Sequence, residues 1–132
     1  MKIEEQVLSI EQMKHLQELG VDTSDASMCW LRYDVGGVVK QYVEINDVKW
    51  HEWSRATPYP TYTIGDLIER LPKNIDGSCL LIEFCASDLG YGDWDCGELY
   101  GINAQQKFND KSLKEALYDL LCWVAENHKE LL

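Results

Sequence analysis

The residues best equipped to contact something outside the chain fall in two short stretches. One is Tyr91-Gly92-Asp93-Trp94-Asp95, within the segment 87–97, where two aromatic rings stand among carboxylates. Carboxylates attract cations and basic side chains, and aromatic rings flanked by charge are the composition of interface hot spots. The other is Trp50-His51-Glu52-Trp53, whose two indoles, close to Pro58 and Pro60, have the spacing to line a groove for a peptide or a ligand. Each stretch also has a purely architectural explanation. Trp94 can fold back over a sheet edge, and Trp50 and Trp53 can cap the open end of a core.

Covalent and metal chemistry find less support in the residue pattern. His51-Glu52 begins like a zinc-protease motif, but Arg55 stands where the second imidazole is required. Gly90-Tyr91-Gly92 lies among acids that repel phosphate, so it does not cradle a nucleotide. Asp93, Asp95 and Glu98 supply oxygen ligands, but not the number or spacing of a calcium loop. A thiol nucleophile needs a nearby base and a lowered pKa. Cys96, the cysteine expected to be exposed, instead sits among Asp93, Asp95 and Glu98, which disfavour the thiolate. No catalytic residue, cofactor or metal site is assigned.

The charge balance narrows the partners. The chain of 132 residues carries a formal net charge of −11. That disfavours direct binding to nucleic acid, where Lys and Arg neutralise phosphates, and to anionic membranes. Between Lys73 and Lys107 no basic residue occurs, whereas Asp76, Glu83, Asp88, Asp93, Asp95 and Glu98 all do. A negative field there suits a basic or mixed-charge protein. It also suits an acidic mimic of nucleic acid that blocks a DNA-binding protein. A small enzyme of undefined type is the third possibility, and the oligomeric state is left open. The five cysteines are odd in number and form no CxxC pair, as expected of free thiols in a reducing compartment. The polar N-terminal stretch lacks an apolar signal core, so the expected address is cytoplasmic.

The elements that must position these residues are legible from caps and periodicity. Ser9 and Gln12 form a capping box with Leu8 and Met13 as its hydrophobic staple, predicting a helix over 9–19 that stops at Gly20. Strands over 28–34 and 38–45 flank Gly36-Gly37, a pair suited to a tight hairpin that sets Trp30 opposite Val43 and Met28 opposite Ile45. The other face, with Tyr33, Lys40 and Glu44, is expected to be the wetter one. The stretch 47–62 reads as irregular because of its prolines. Thr63 and Asp66 open a short helix that ends at Pro72. Residues 79–86 read as a central strand, 87–97 as a loop, and 98–102 as a further strand. Ser112 and Glu115 cap the last helix, whose apolar stripe is Leu113, Ala116, Leu117, Leu120, Leu121 and Val124. The sum is a single α+β domain, residues 1–132, in the order α-β-β-α-β-β-α. Its sheet is expected to be mostly antiparallel, of about four strands, with helices packed on one side.

The stretches 7–30, 61–72 and 116–127 resemble small uncharacterised proteins encoded in Bacteroidales genomes, often near phage or mobile-element genes. These stretches are helices and their caps. The resemblance therefore implies a fold and a bacterial or phage-associated setting, and it brings no activity with it. Taken together, the residues suggest a soluble, non-enzymatic interaction or regulatory module whose contact residues are Tyr91, Asp93, Trp94 and Asp95, with Trp50, His51 and Trp53 as a second group.

The cysteine pattern is directly testable. Thiol titration of the unreduced, denatured protein is expected to count all five cysteines, and a count of three or fewer would reveal a disulfide.

Overall fold

The computed structural model describes residues 2–47, 57–80, 82–86, 92–96, 108–110 and 112–132. The chain divides into two compact units, Met1–Asp66 and Leu67–Leu132.

In the first unit, α1 (Ile10–Glu18) starts where the capping box predicts. The Ser9 N–H donates to Gln12 Oε1 at 3.0 Å and the Gln12 N–H to Ser9 Oγ at 3.1 Å. Two otherwise orphaned helix-terminal donors are thereby satisfied. The helix buries Ile10, Met13 and Leu16. It ends as the sequence suggests, with Gly20 in the left-handed region at φ 90°. There the Val21 N–H reaches the Leu16 carbonyl at 3.0 Å.

Strands β1 (Met28–Val35) and β2 (Val38–Ile45) form the expected hairpin, with Trp30 opposite Val43 and Met28 opposite Ile45. Gly36 and Gly37 have φ of 60° and 82°, values that L side chains reach only with strain, so the two-residue turn depends on both glycines. Burial departs from expectation. The face thought to be wetter holds Cys29 and Leu31, both fully buried, with Tyr33 packed against them. Trp30, on the other face, is only half-buried. The wet part of the ribbon is instead its far end, and β2 is exposed along its length except at Val43.

The irregular stretch expected over 47–62 also needs correction where it is described. Residues Thr57–Thr61 form β3, antiparallel to β1, and the sheet order is β2-β1-β3. Prolines are excluded from a strand only where an N–H must be donated. Pro58 and Pro60 are two apart, so both lacking N–H groups fall on one side of β3. The alternate residues Thr57, Tyr59 and Thr61 stand opposite Arg32, Trp30 and Met28 and supply the donors toward β1. The result is an outer edge with few donors.

Polar contacts lock the segment before α1 onto this sheet. The Leu8 carbonyl accepts from Trp30 Nε1 at 2.8 Å and from Thr61 Oγ1 at 2.7 Å, and the Leu8 N–H donates to the Tyr62 carbonyl at 3.0 Å. Tyr62, fully buried, donates its hydroxyl to Asp25 Oδ1 at 2.7 Å and lies 3.1 Å from the Asp22 carbonyl. A short 3-10 turn, Ile3–Glu5, approaches β2 without adding a strand to it.

Helix α2 (Ile64–Arg70) opens as expected, with Thr63 Oγ1 accepting from the Asp66 N–H at 3.0 Å and Asp66 Oδ2 accepting from the Thr63 N–H at 2.9 Å. In the second unit its C-terminal carbonyls are met by the Lys73 ammonium, which donates to the Leu71 carbonyl at 2.8 Å and to that of Ile68. This is a favourable place for a cation on a helix. Next come β4 (Asn74–Ile75) and β5 (Ser78–Cys79), joined by Asp76 and Gly77 at φ of 51° and 86°. The strand expected over 79–86 is therefore divided, with Leu80 turned back to the Lys73 carbonyl and β6 running Ile82–Ala86. Strands β7 (Gly92–Cys96) and β8 (Phe108–Asp110) complete an antiparallel sheet in the order β6-β7-β8. The strand expected over 98–102 lies outside the described residues.

Helix α3 (Leu113–Asn127) lies along β7 and β8. Ser112 Oγ accepts from the Glu115 N–H at 3.4 Å, and the buried residues are Ala116, Leu117, Leu120, Leu121, Val124 and Ala125. Leu113 is only partly buried. The architecture is mixed α+β. Among the described residues, the strands form two three-stranded sheets and one two-stranded hairpin rather than a single sheet of about four. No helix among them is long and apolar enough to cross a membrane.

Leu117 and Leu120 are each 0% exposed. Replacing either with Ala is expected to cost about 2–5 kcal/mol in denaturant unfolding, since the cavity adds to the lost transfer energy. A loss under about 1 kcal/mol would show that the helix is not core-forming.

Candidate interaction surfaces

The residues singled out in the sequence meet different fates. Tyr91, Trp50, His51 and Trp53 lie outside the described residues. Asp93, Trp94 and Asp95 are described, and they belong to β7 rather than to a loop. The register places Asp95 opposite Glu83, Asp93 opposite Cys85 and Trp94 opposite Phe84. On the far side Trp94 stands opposite Asp110 and Asp95 opposite Asn109. Directly opposed residues share a face, and faces alternate along a strand. Glu83, Cys85, Asp93, Asp95 and Asn109 therefore share one face, and Ile82, Phe84, Trp94, Cys96, Phe108 and Asp110 the other. The aromatic and acidic parts of the expected surface are separated by this alternation.

Elsewhere the carboxylates and hydroxyls serve the fold. Asp66 accepts from the Ser27 hydroxyl at 2.6 Å and from the Ser27 N–H at 3.2 Å, besides capping α2. Asp25 is engaged by Tyr62. His15 is paired with Glu18 at 3.9 Å, and His128 with Glu130 at 3.8 Å while stacked at a tilt on Trp123. Among the described residues no group of three or more His, Cys, Asp and Glu is placed to hold a metal ion.

Cys29, Cys79 and Cys122 are free thiols. The exposed one is Cys79 in the short β4–β5 hairpin, whereas Cys96, expected to be the exposed thiol, is part of β7. Burial raises the pKa of Cys29, with the Glu44 carboxylate adding to the effect. Burial also pushes Cys122 up to about 11, and Asp119 and Glu126 push the same way against the lowering hydrogen bond of Tyr118. Neither is a thiolate nucleophile at neutral pH.

A second surface escaped the sequence reasoning. The β1–β2 ribbon exposes Val35 (65%), Val38 (57%), Val39 (49%), Tyr42 (48%) and Ile45 (68%). Tyr33 and Tyr42 meet edge to face on it, with ring centroids 5.9 Å apart. The signal was present in the sequence. Val38-Val39 are consecutive apolar residues, and in a half-buried strand one of two such neighbours must face water.

Comparison with protein-family models, with curated proteins and with solved structures returned no match. The fold and the two surfaces therefore carry the functional inference by themselves.

The thiols provide a pH test. A pKa raised from 9.0 to about 11 means that Cys122 contributes stability in full below pH 9 and loses it as the pH rises through 11. Alkylation of the native protein at pH 8 is expected to mark Cys79 fast, with Cys122 and Cys29 reacting at least about tenfold more slowly. Rapid labelling of Cys122 at pH 8 would contradict its burial.

Proposed function

We propose that the protein is a non-enzymatic interaction or regulatory module that presents the acidic face of the β6-β7-β8 sheet to a basic or mixed-charge protein partner. One observation carries this proposal. Glu83 and Asp95 stand directly opposite each other on adjacent strands, with Asp93 two residues along the same face. Like charges at directly opposed positions destabilise a sheet, by up to about 1 kcal/mol per pair. A sequence selected for stability alone would separate them, and a cationic partner turns the repulsion into attraction. Local rules broken at a cost are the mark of functional positions.

Trp94 plays no part in this contact, since alternation assigns it to the opposite face. Glu83, Asp93 and Asp95 occupy two neighbouring strands, a compact cluster that matches one basic patch. A nucleic-acid mimic calls for carboxylates along an elongated face instead.

Glu83→Gln and Asp95→Asn separate this proposal from a structural role. Each is expected to raise the thermal midpoint of the free protein slightly. Each is also expected to weaken binding to a lysine-rich peptide in calorimetry, with the difference shrinking as salt shortens the screening length below about 10 Å. A lowered midpoint in both variants would show that the carboxylates hold the sheet together, and unchanged peptide binding would remove the surface.

A further inference from the structure

We infer that the outer edge of β2, which has no ladder partner among the described residues, pairs with β2 of a second copy of this chain. The pairing is antiparallel about a two-fold axis at Tyr42, and it involves a surface distinct from the acidic face discussed above.

The two edges of the β2-β1-β3 sheet are unlike. At β3, Pro58 and Pro60 remove donors from the outward side, a common way of blocking edge-to-edge pairing. Strand β2, with the sequence VVKQYVEI, has no proline and no ladder partner on its outer side among the described residues. The direction of its peptide groups follows from the turn. A two-residue turn makes Val35 and Val38 a hydrogen-bonded pair, so Val38, Lys40, Tyr42 and Glu44 direct their peptide groups to β1. Val39, Gln41, Val43 and Ile45 direct theirs outward.

A partner strand must offer the same outward set, and a second copy of β2 does. With Tyr42 on the axis, Gln41 stands opposite Val43 of the other copy and Val39 opposite Ile45, each pair aligned for hydrogen bonding. Lys40 then stands opposite Glu44, twice, in the closer non-hydrogen-bonded positions. Lys40, Tyr42, Glu44, Val39 and Ile45 are all exposed in the single chain. Shifting the axis to Gln41 leaves Lys40 opposite Tyr42, and shifting it to Val43 leaves Glu44 opposite Tyr42. An axis at Lys40 or Glu44 opposes like charges. Charge complementarity thus selects one register. The resulting six-stranded sheet ends in a proline-bearing β3 at both sides, so the assembly closes as a dimer and does not propagate.

The test uses two single substitutions at exposed positions, Lys40→Glu and Glu44→Lys, followed by sedimentation over a concentration series. The unaltered chain is expected to show a monomer–dimer equilibrium. Each variant alone juxtaposes like charges twice and is expected to raise the dissociation constant about tenfold or more. Mixing the two variants restores both opposite-charge pairs, so a heterodimer is expected at close to the original affinity. Circular dichroism of each variant checks that folding is intact. If a variant does not fold, Tyr42→Cys in a Cys79→Ser background replaces it. The new thiols meet on the axis, and oxidation is expected to give a covalent dimer. A chain that stays monomeric at about 1 mM overturns the inference. So does a dimer whose affinity is untouched by the single variants, or a mixture that fails to re-associate.

Discussion

The carbonyl of Leu8 accepts hydrogen bonds from two strands at once, from Trp30 Nε1 on β1 and from Thr61 Oγ1 at the end of β3, while its N–H is taken up by the Tyr62 carbonyl. Leu8 is itself fully buried. At such a depth an unmet peptide group costs about as much as a lost hydrogen bond, so the segment has little choice of position. Its placement fixes where Ser9 begins α1, and hence which face of that helix is buried. It also brings β3 to the open side of β1 and makes β1 the central strand. With β3 in place, Tyr62 is buried and its hydroxyl reaches Asp25. The first unit is organised from this residue outward.

Local signals were read well and non-local ones poorly. The caps at Ser9 and Thr63, the Gly36-Gly37 turn and the apolar stripe of α3 all act within a few residues, and each appears where its chemistry requires. The register of β1 against β2 followed because a two-residue turn leaves no freedom in the pairing. Strand β3 was missed because its prolines read as breakers, and their compatibility with an edge shows only once β1 is alongside. Strand β7 was missed because Gly92, Asp93 and Asp95 have poor intrinsic strand preference, and pairing on both sides overrides it.

The same contrast governs the contact residues. Composition marked the segment around Trp94 as aromatic and acidic together. A strand's alternation divides those qualities, setting Asp93 and Asp95 on the face that also holds Glu83 and Trp94 on the other. Composition counts Glu83 among the acids of this segment, but only the register sets it directly opposite Asp95. The exposed valines of the ribbon, for their part, look like core when counted along the chain. They become surface once β2 is seen to be the outer strand of its sheet among the described residues.

The turn between β1 and β2 has a consequence for how this chain can change over generations. Because Gly36 and Gly37 form a turn of two residues, they set the parity of the whole ribbon. Substitutions along β2 alter one side chain at a time and leave that parity alone. An insertion or deletion of a single residue at the turn would act on every position of β2 together. It would turn the outward peptide groups inward and exchange the occupants of the two faces, burying Lys40 and Glu44 where Val43 now sits, or the reverse. Lineages of this protein are therefore expected to vary in the composition of the ribbon but to keep its loop length fixed. Changes of loop length, where tolerated, should come in steps that preserve the alternation.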